Sequence, residues 1–185
     1  DEKNNTIYII TEFIEGHELS VETLTFQNAL DIAKQQGKGY CKLHQKGVAH
    51  RDIQPSHIVI TKNNIAKIID FGLSCDMKLY LGSCDQPTGT LNYMAPEIIN
   101  GEMDNLKKSD VYSFGVTLFL MFNKILPYST SGLTKQEIIT KKLSTLPRTS
   151  NSGNKDLDKL INSMLVTKAS KRPSMKDVVY FLGKV

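Results

Sequence analysis

Two aspartates stand in surroundings that suit chemistry. Asp52 lies in the stretch His50-Arg51-Asp52-Ile53-Gln54-Pro55-Ser56-His57-Ile58-Val59-Ile60, and Asp70 follows eighteen residues later in Asp70-Phe71-Gly72. A third stretch, Gly89-Thr90-Leu91-Asn92-Tyr93-Met94-Ala95-Pro96-Glu97, comes next. A carboxylate in such a place can orient a proton or hold a hard cation. The plainer reading makes Asp52 a turn residue capping the Pro55 loop and Asp70 the end of a strand. Asp-Phe-Gly alone is weak, since three common residues recur by chance. Three stretches in a fixed order, with a strand-turn-strand between the first two, are far harder to meet by accident.

Together these stretches resemble the catalytic loop, the DFG metal motif and the APE segment of eukaryotic-type protein kinases. The resemblance covers essentially the whole chain. Thr11-Glu12-Phe13-Ile14 is similar to the hinge, with Thr11 as gatekeeper beside the adenine pocket. There the Glu12 carbonyl and the Ile14 backbone groups would hold the adenine edge, and Glu18 falls where some members place an acid on the ribose hydroxyls. Leu43-His44 followed by Gly47 matches the helix that runs into the catalytic loop. The run Asp110-Val111-Tyr112-Ser113-Phe114-Gly115 resembles the start of the buried central helix.

The resemblance implies transfer of the ATP γ-phosphoryl group to a protein hydroxyl, with Mg²⁺ as the metal. Positioning and charge neutralisation do most of that catalysis. Asp52 would accept or orient the proton of the substrate hydroxyl, and Asp70 would ligate the metal. Thr90 resembles the threonine that hydrogen-bonds the catalytic aspartate in Ser/Thr kinases, and Gly-Thr-x-x-Tyr-Met-Ala-Pro-Glu favours that specificity over tyrosine. His50 and Asp110 would brace the loop from below, Asp110 doubling as a helix N-cap. Glu97 and Arg172 would form a buried ion pair. Arg51 would clamp a phosphate placed on the activation loop by an upstream kinase, with Ser83 and Thr88 as candidate sites.

Three departures temper this. Gln54 stands where the family usually has lysine, so a hydrogen bond replaces a charge near the transferring group. His57 stands where it usually has asparagine, as a potential metal ligand. Imidazole nitrogen suits Mg²⁺ poorly and Mn²⁺ better, so the expected activity is weak and tolerant of Mn²⁺. A Gly-rich loop and strand lysine are not found ahead of the hinge, so the small lobe is expected to be missing from this chain. The alternative reading is a pseudokinase that binds or scaffolds.

These residues need elements to hold them. Ile7–Phe13 reads as a buried strand broken at Glu15-Gly16-His17, and Phe26–Gln45 as a helix weakened by Gly37 and Gly39. Val48–Asp52, Ile58–Ile60 and Ile65–Ile69 are short extended pieces, the last two joined by an Asn63-Asn64 turn. Asp70–Pro96 is a long loop. A nearly all-apolar helix opens at Asp110. Lys135–Leu143, Asp156–Leu165 and Ser174–Leu182 are helices, with Ser174 as an N-cap. The fold class is α+β and mostly α, a kinase-like large lobe of packed helices with short β-hairpins. As one domain, residues 1–18 would be the last small-lobe strand and hinge, and 19–185 the helical lobe.

Composition agrees with an ordinary core: 185 residues, 40% hydrophobic and 23% charged. The net charge of +4 reads as a few extra lysines, since no basic-aromatic stripe suggests nucleic acid. The most apolar window, Val111–Phe122, is too short to span a bilayer. His17 and His44 have nothing metal-like around them. Cys41, Cys75 and Cys84 are odd in number and lack Cys-x-x-Cys spacing, which points to a reducing, cytoplasmic setting.

Overall fold

The computed structural model describes residues 10–79 and 84–185. Its elements in order are β1 (Gly16–Glu18), α1 (Phe26–Lys46), β2 (Val48–Ala49), β3 (Ile58–Thr61), β4 (Ala66–Ile68), β5 (Cys75–Asp76), α2 (Pro96–Ile99), α3 (Leu106–Asn123), α4 (Lys135–Ser144), α5 (Lys155–Met164) and α6 (Met175–Leu182). A 3₁₀ turn, Pro55–His57, precedes β3, and a second, Ala169–Lys171, lies between α5 and α6. The chain is mostly helical with short antiparallel strands, the expected class.

The helices begin and end where local chemistry dictates. Thr25 caps α1 by accepting from the Asn28 amide, and Gly47 ends it in a left-handed conformation. Ser174 and Asp177 form a capping box at α6, as Thr134 and Glu137 do at α4. Helix α1 runs straight through Gly37 and Gly39. Their bare faces let Phe114, Val179 and Ile68 approach, which offsets the weak helix propensity. Helix α3 is buried on nearly every side, from Leu106 through Met121. Tyr40 of α1 meets Phe114 of α3 edge to face at 5.3 Å, the centre of the core.

Strands β1, β3 and β4 form one antiparallel sheet in that order, with Glu18 opposite Val59 and Ile58 opposite Ile68. A second pair joins β2 to β5, with Ala49 opposite Cys75. This pair ties the start of the long loop to the residue before His50.

Four expectations change. Residues 7–9 of the supposed strand lie outside the described residues. Ile10 and Phe13 are 96% and 88% exposed in an irregular segment, not buried. A β-branched run is only half of a strand, and among the described residues nothing pairs with this one. Instead Gly16–Glu18, read as a break, is the paired strand, because the β3 edge supplies its ladder. Asp110 is no N-cap: α3 starts at Leu106, a turn earlier, and Asp110 faces the loop that precedes Asp52. Cys75 and Cys84 are joined as a disulfide, leaving Cys41 the free, buried thiol.

Candidate active site

The loop between β2 and β3 is held from beneath by one carboxylate. Asp110 Oδ2 accepts from the His50 amide at 2.8 Å, and Oδ1 from the Arg51 amide at 2.8 Å. His44 Nε2 lies 2.8 Å from the same Oδ2, so helix α1 orients Asp110 in turn. These bonds hold Arg51 at φ 70, and Asp70 sits at φ 60. Neither is a conformation L-residues adopt freely, and each costs on the order of 1 kcal/mol or more.

His50 connects the two aspartates through their backbones. Its Nε2 lies 3.3 Å from the Ile69 carbonyl, and its Nδ1 3.4 Å from the Asp52 amide. A carbonyl only accepts and an amide N–H only donates, so His50 carries its proton on Nε2. Burial pushes its pKa down, against the opposing pull of Asp110, and keeps the ring neutral.

Above this base each oxygen of the Asp52 carboxylate accepts one hydrogen bond from the protein. Oδ1 accepts from the Thr90 amide at 2.8 Å and Oδ2 from Gln54 Nε2 at 3.1 Å. Gln54 Nε2 also donates to Thr90 Oγ1 at 2.7 Å. The Thr90 link to Asp52 therefore runs through the backbone amide, and its hydroxyl serves Gln54. This differs from the side-chain bond the resemblance implies.

His57 occupies the space between the carboxylates. Nδ1 donates to the Asp52 carbonyl at 2.9 Å, and Nε2 lies 3.4 Å from Asp70 Oδ2. With a proton on Nδ1, Nε2 is the ring nitrogen turned toward Asp70. The Asp70 side chain is 54% exposed, and its Oδ1 accepts from the Gly72 amide at 3.1 Å. His57 thus touches the Asp52 backbone carbonyl on one side and the Asp70 carboxylate on the other.

The family model for the protein kinase domain matches residues 2–180. The chain belongs to the protein kinase family. It is 33% identical over 193 residues to calcium-dependent protein kinase 4 of Plasmodium berghei, covering 96% of this chain and 35% of that protein. It is 31% identical over 194 residues to serine/threonine-protein kinase cds1 of Schizosaccharomyces pombe, covering 96% and 41%. A probable serine/threonine-protein kinase of Clostridium acetobutylicum is 29% identical over 175 residues, covering 91% and 26%. The chain thus spans between about a quarter and two fifths of the length of these relatives.

Other kinase-motif residues fall as follows. Glu97 and Arg172 pair in two parallel bonds of 2.6 and 2.7 Å, with the Arg172 side chain fully buried. The remaining guanidinium donors go to the carbonyls of Val166, Lys108 and Thr167, so every N–H is matched. Thr11, Glu12 and Glu18 are exposed, Ile14 partly so, and Glu12 reaches Lys67 of β4 at 3.2 Å. Ser83 lies outside the described residues. Thr88 lines a cavity of about 10 Å³ with Arg51 and Asp110, room for one water at most. Among the described residues its hydroxyl is buried without a hydrogen-bond partner.

Sequence reasoning missed three participants. His44 has nothing metal-like around it in the sequence, yet it positions Asp110. Ser109, the residue before Asp110, donates to Glu97 Oε1 at 2.8 Å. Lys142 of α4 is buried and donates to the Leu91 and Asn92 carbonyls at 2.8 and 2.9 Å, beside the rings of Tyr112 and Tyr128. Burial pushes its pKa down to about 7. The Leu43-His44 pair was a usable signal for the first; Lys142 looked like any surface lysine of an amphipathic helix.

Proposed function

We propose that this chain is the large lobe of a Ser/Thr protein kinase that transfers the ATP γ-phosphoryl group to a protein hydroxyl, at a rate weakened by Gln54 and His57. In this reading residues 1–18 would be the last small-lobe strand and hinge, and 19–185 the helical lobe. The observation that carries the reading is the bridge from Asp52 through His57 to Asp70.

Asp52, locked by the Thr90 amide and Gln54, receives and orients the acceptor hydroxyl. Its carboxylate takes up the hydroxyl proton as transfer proceeds. Asp70, half exposed, offers a hard oxygen, and His57 a nitrogen lone pair. Among the described residues no three-ligand metal cage exists. An exposed carboxylate oxygen suits Mg²⁺, which family members hold with one or two carboxylates and the nucleotide phosphates themselves. A bound metal would neutralise charge on those phosphates. Thr11, Glu12, Ile14 and Glu18 would face the nucleotide once a small lobe closes over them.

Regulation by phosphorylation would act on Arg51, with Ser83 and Thr88 as sites for an upstream kinase. Thr88 is packed inward, so its modification requires residues 84–90 to swing out. The protein is assigned to a reducing compartment, the cytoplasm, where a single Cys75–Cys84 bond is conditional and forms no framework. No helix among the described residues is long and apolar enough to cross a membrane.

A specific observation favours the second reading, a pseudokinase. Both Gln54 N–H groups are already spent on Asp52 and Thr90, leaving no donor and no charge for a phosphoryl group. The test is phosphotransfer by the full-length protein to a Ser/Thr peptide library, with Mg²⁺ and with Mn²⁺, beside Asp52→Asn. Turnover that Asp52→Asn abolishes supports the enzyme. Nucleotide binding without turnover under either metal supports the pseudokinase.

A further inference from the structure

The Cys75–Cys84 bond spans a sequence separation of nine, with Cα atoms 5.6 Å apart, an ordinary disulfide spacing. Its position is what matters. Cys75 pairs with Ala49 across β2 and β5, and the next residue, His50, hangs from Asp110. Met77 donates to the Gly47 carbonyl at 2.9 Å, extending the same attachment. Cys84 is therefore fastened to the strand pair that founds the catalytic loop.

Immediately beyond Cys84 the chain covers Arg51. The Gln86 carbonyl accepts from the Arg51 guanidinium, and the Asp85 carboxylate acts electrostatically on it. Gly89 follows at φ 122, so close that a side chain there would meet the Arg51 carbonyl at 2.6 Å. Thr90 then bonds Asp52. The arginine expected to clamp an activating phosphate is thus engaged by a carbonyl and a carboxylate from the segment the disulfide delivers.

We propose that Cys75 and Cys84 are a reversible redox modification site, whose oxidation pins residues 84–90 onto the catalytic loop in place of a phosphate on Arg51. The proposal rests on the kinase reading for its consequence, not for its chemistry. The oxidant class is a low-molecular-weight disulfide of the glutathione type. One cysteine thiolate attacks that disulfide, forming a mixed disulfide and releasing one small thiolate. The second cysteine thiolate attacks the protein-bound sulfur and releases the other. One S–S bond breaks and one forms. The two protons the cysteines give up leave on the two released thiols. In a reducing compartment such bonds are conditional, which suits a sensor better than a structural staple. Both cysteines are 1% exposed, so exchange is slow and is followed over hours.

The experiment equilibrates the full-length protein in a series of reduced and oxidised glutathione mixtures. Peptide mapping without reductant reads the cross-link, and hydrogen exchange reads protection of amides 84–90. The expected result is a linked Cys75–Cys84 peptide whose fraction rises and falls reversibly across the series. Protection of 84–90 should rise at least several-fold with it, and Cys41→Ser should change neither. Cys84→Ser should abolish both responses, and because wild type is compared with itself, a misfolded variant does not obscure the answer. A cross-link that never forms, one that persists at every mixture, or unchanged protection on oxidation overturns the proposal. A protein that shows the redox response yet transfers no phosphate would overturn the kinase reading alone.

Discussion

Nε2 of His57 lies 3.4 Å from Oδ2 of Asp70, while Nδ1 of the same ring donates to the Asp52 carbonyl at 2.9 Å. One side chain, three residues after Gln54, therefore touches both aspartates. On the proposed kinase reading, this histidine's nitrogen would control metal preference. His57→Asn in the full-length protein should raise Mg²⁺-supported turnover by about 10- to 100-fold and lower the Mn²⁺ to Mg²⁺ rate ratio. Steady-state rates with each metal check this, and an unchanged ratio would remove His57 from the metal site.

Gln54 holds Asp52 and Thr90 with its amide and brings no charge. Gln54→Lys keeps a donor in reach of both and adds a cation beside the transferring group. The expected gain is about 10²-fold in kcat, by analogy with a single transition-state donor. No gain, with the fold intact, favours the pseudokinase.

The Glu97–Arg172 pair is buried and completely hydrogen-bonded. Glu97→Ala strands the guanidinium among carbonyls and the Tyr112 ring, which lies 4.8 Å from it. A loss of about 3–5 kcal/mol is expected, because an uncompensated charge stays buried. Denaturant unfolding of the two proteins measures it; a loss within experimental scatter would show that water reaches the site.

Lys142 yields a pH dependence whose sign follows from burial. Its pKa falls from 10.5 when the chain is unfolded to about 7 in the fold. Below about 7 both states are charged and the burial penalty is felt in full. Between about 7 and 10.5 the unfolded chain holds more protons, so stability rises with pH, by up to about 1.4 kcal/mol per unit. Tyr112 and Tyr128 face the amine, and burial raises both their pKa values, so they titrate above this range. Unfolding free energies from pH 7 to 9 should show the slope in wild type and lose it in Lys142→Met. An equal slope in both would place the titration elsewhere.

Much of the site is legible because it is local. Asp52, Gln54 and His57 fall within six consecutive positions, and a turn at Pro55 can bring them together whatever the rest of the chain does. The helix start at Ser174 follows from capping chemistry that acts over three or four residues. The strand at Gly16–Glu18 escaped because its stability resides in the β3 edge and not in its own residues.

By itself the sequence determined the family, the order of its motifs and the helical period that marks each buried face. Tertiary structure alone decided what each face meets. It set His44 on Asp110 across sixty-six positions, Lys142 under the Leu91 and Asn92 carbonyls, and Cys84 on Cys75. The reason is physical: periodicity reports how strongly a side chain avoids water, whereas a hydrogen bond or disulfide needs a particular partner atom. Which atom arrives there depends on how the helices and loops pack, and chain distance says nothing about that.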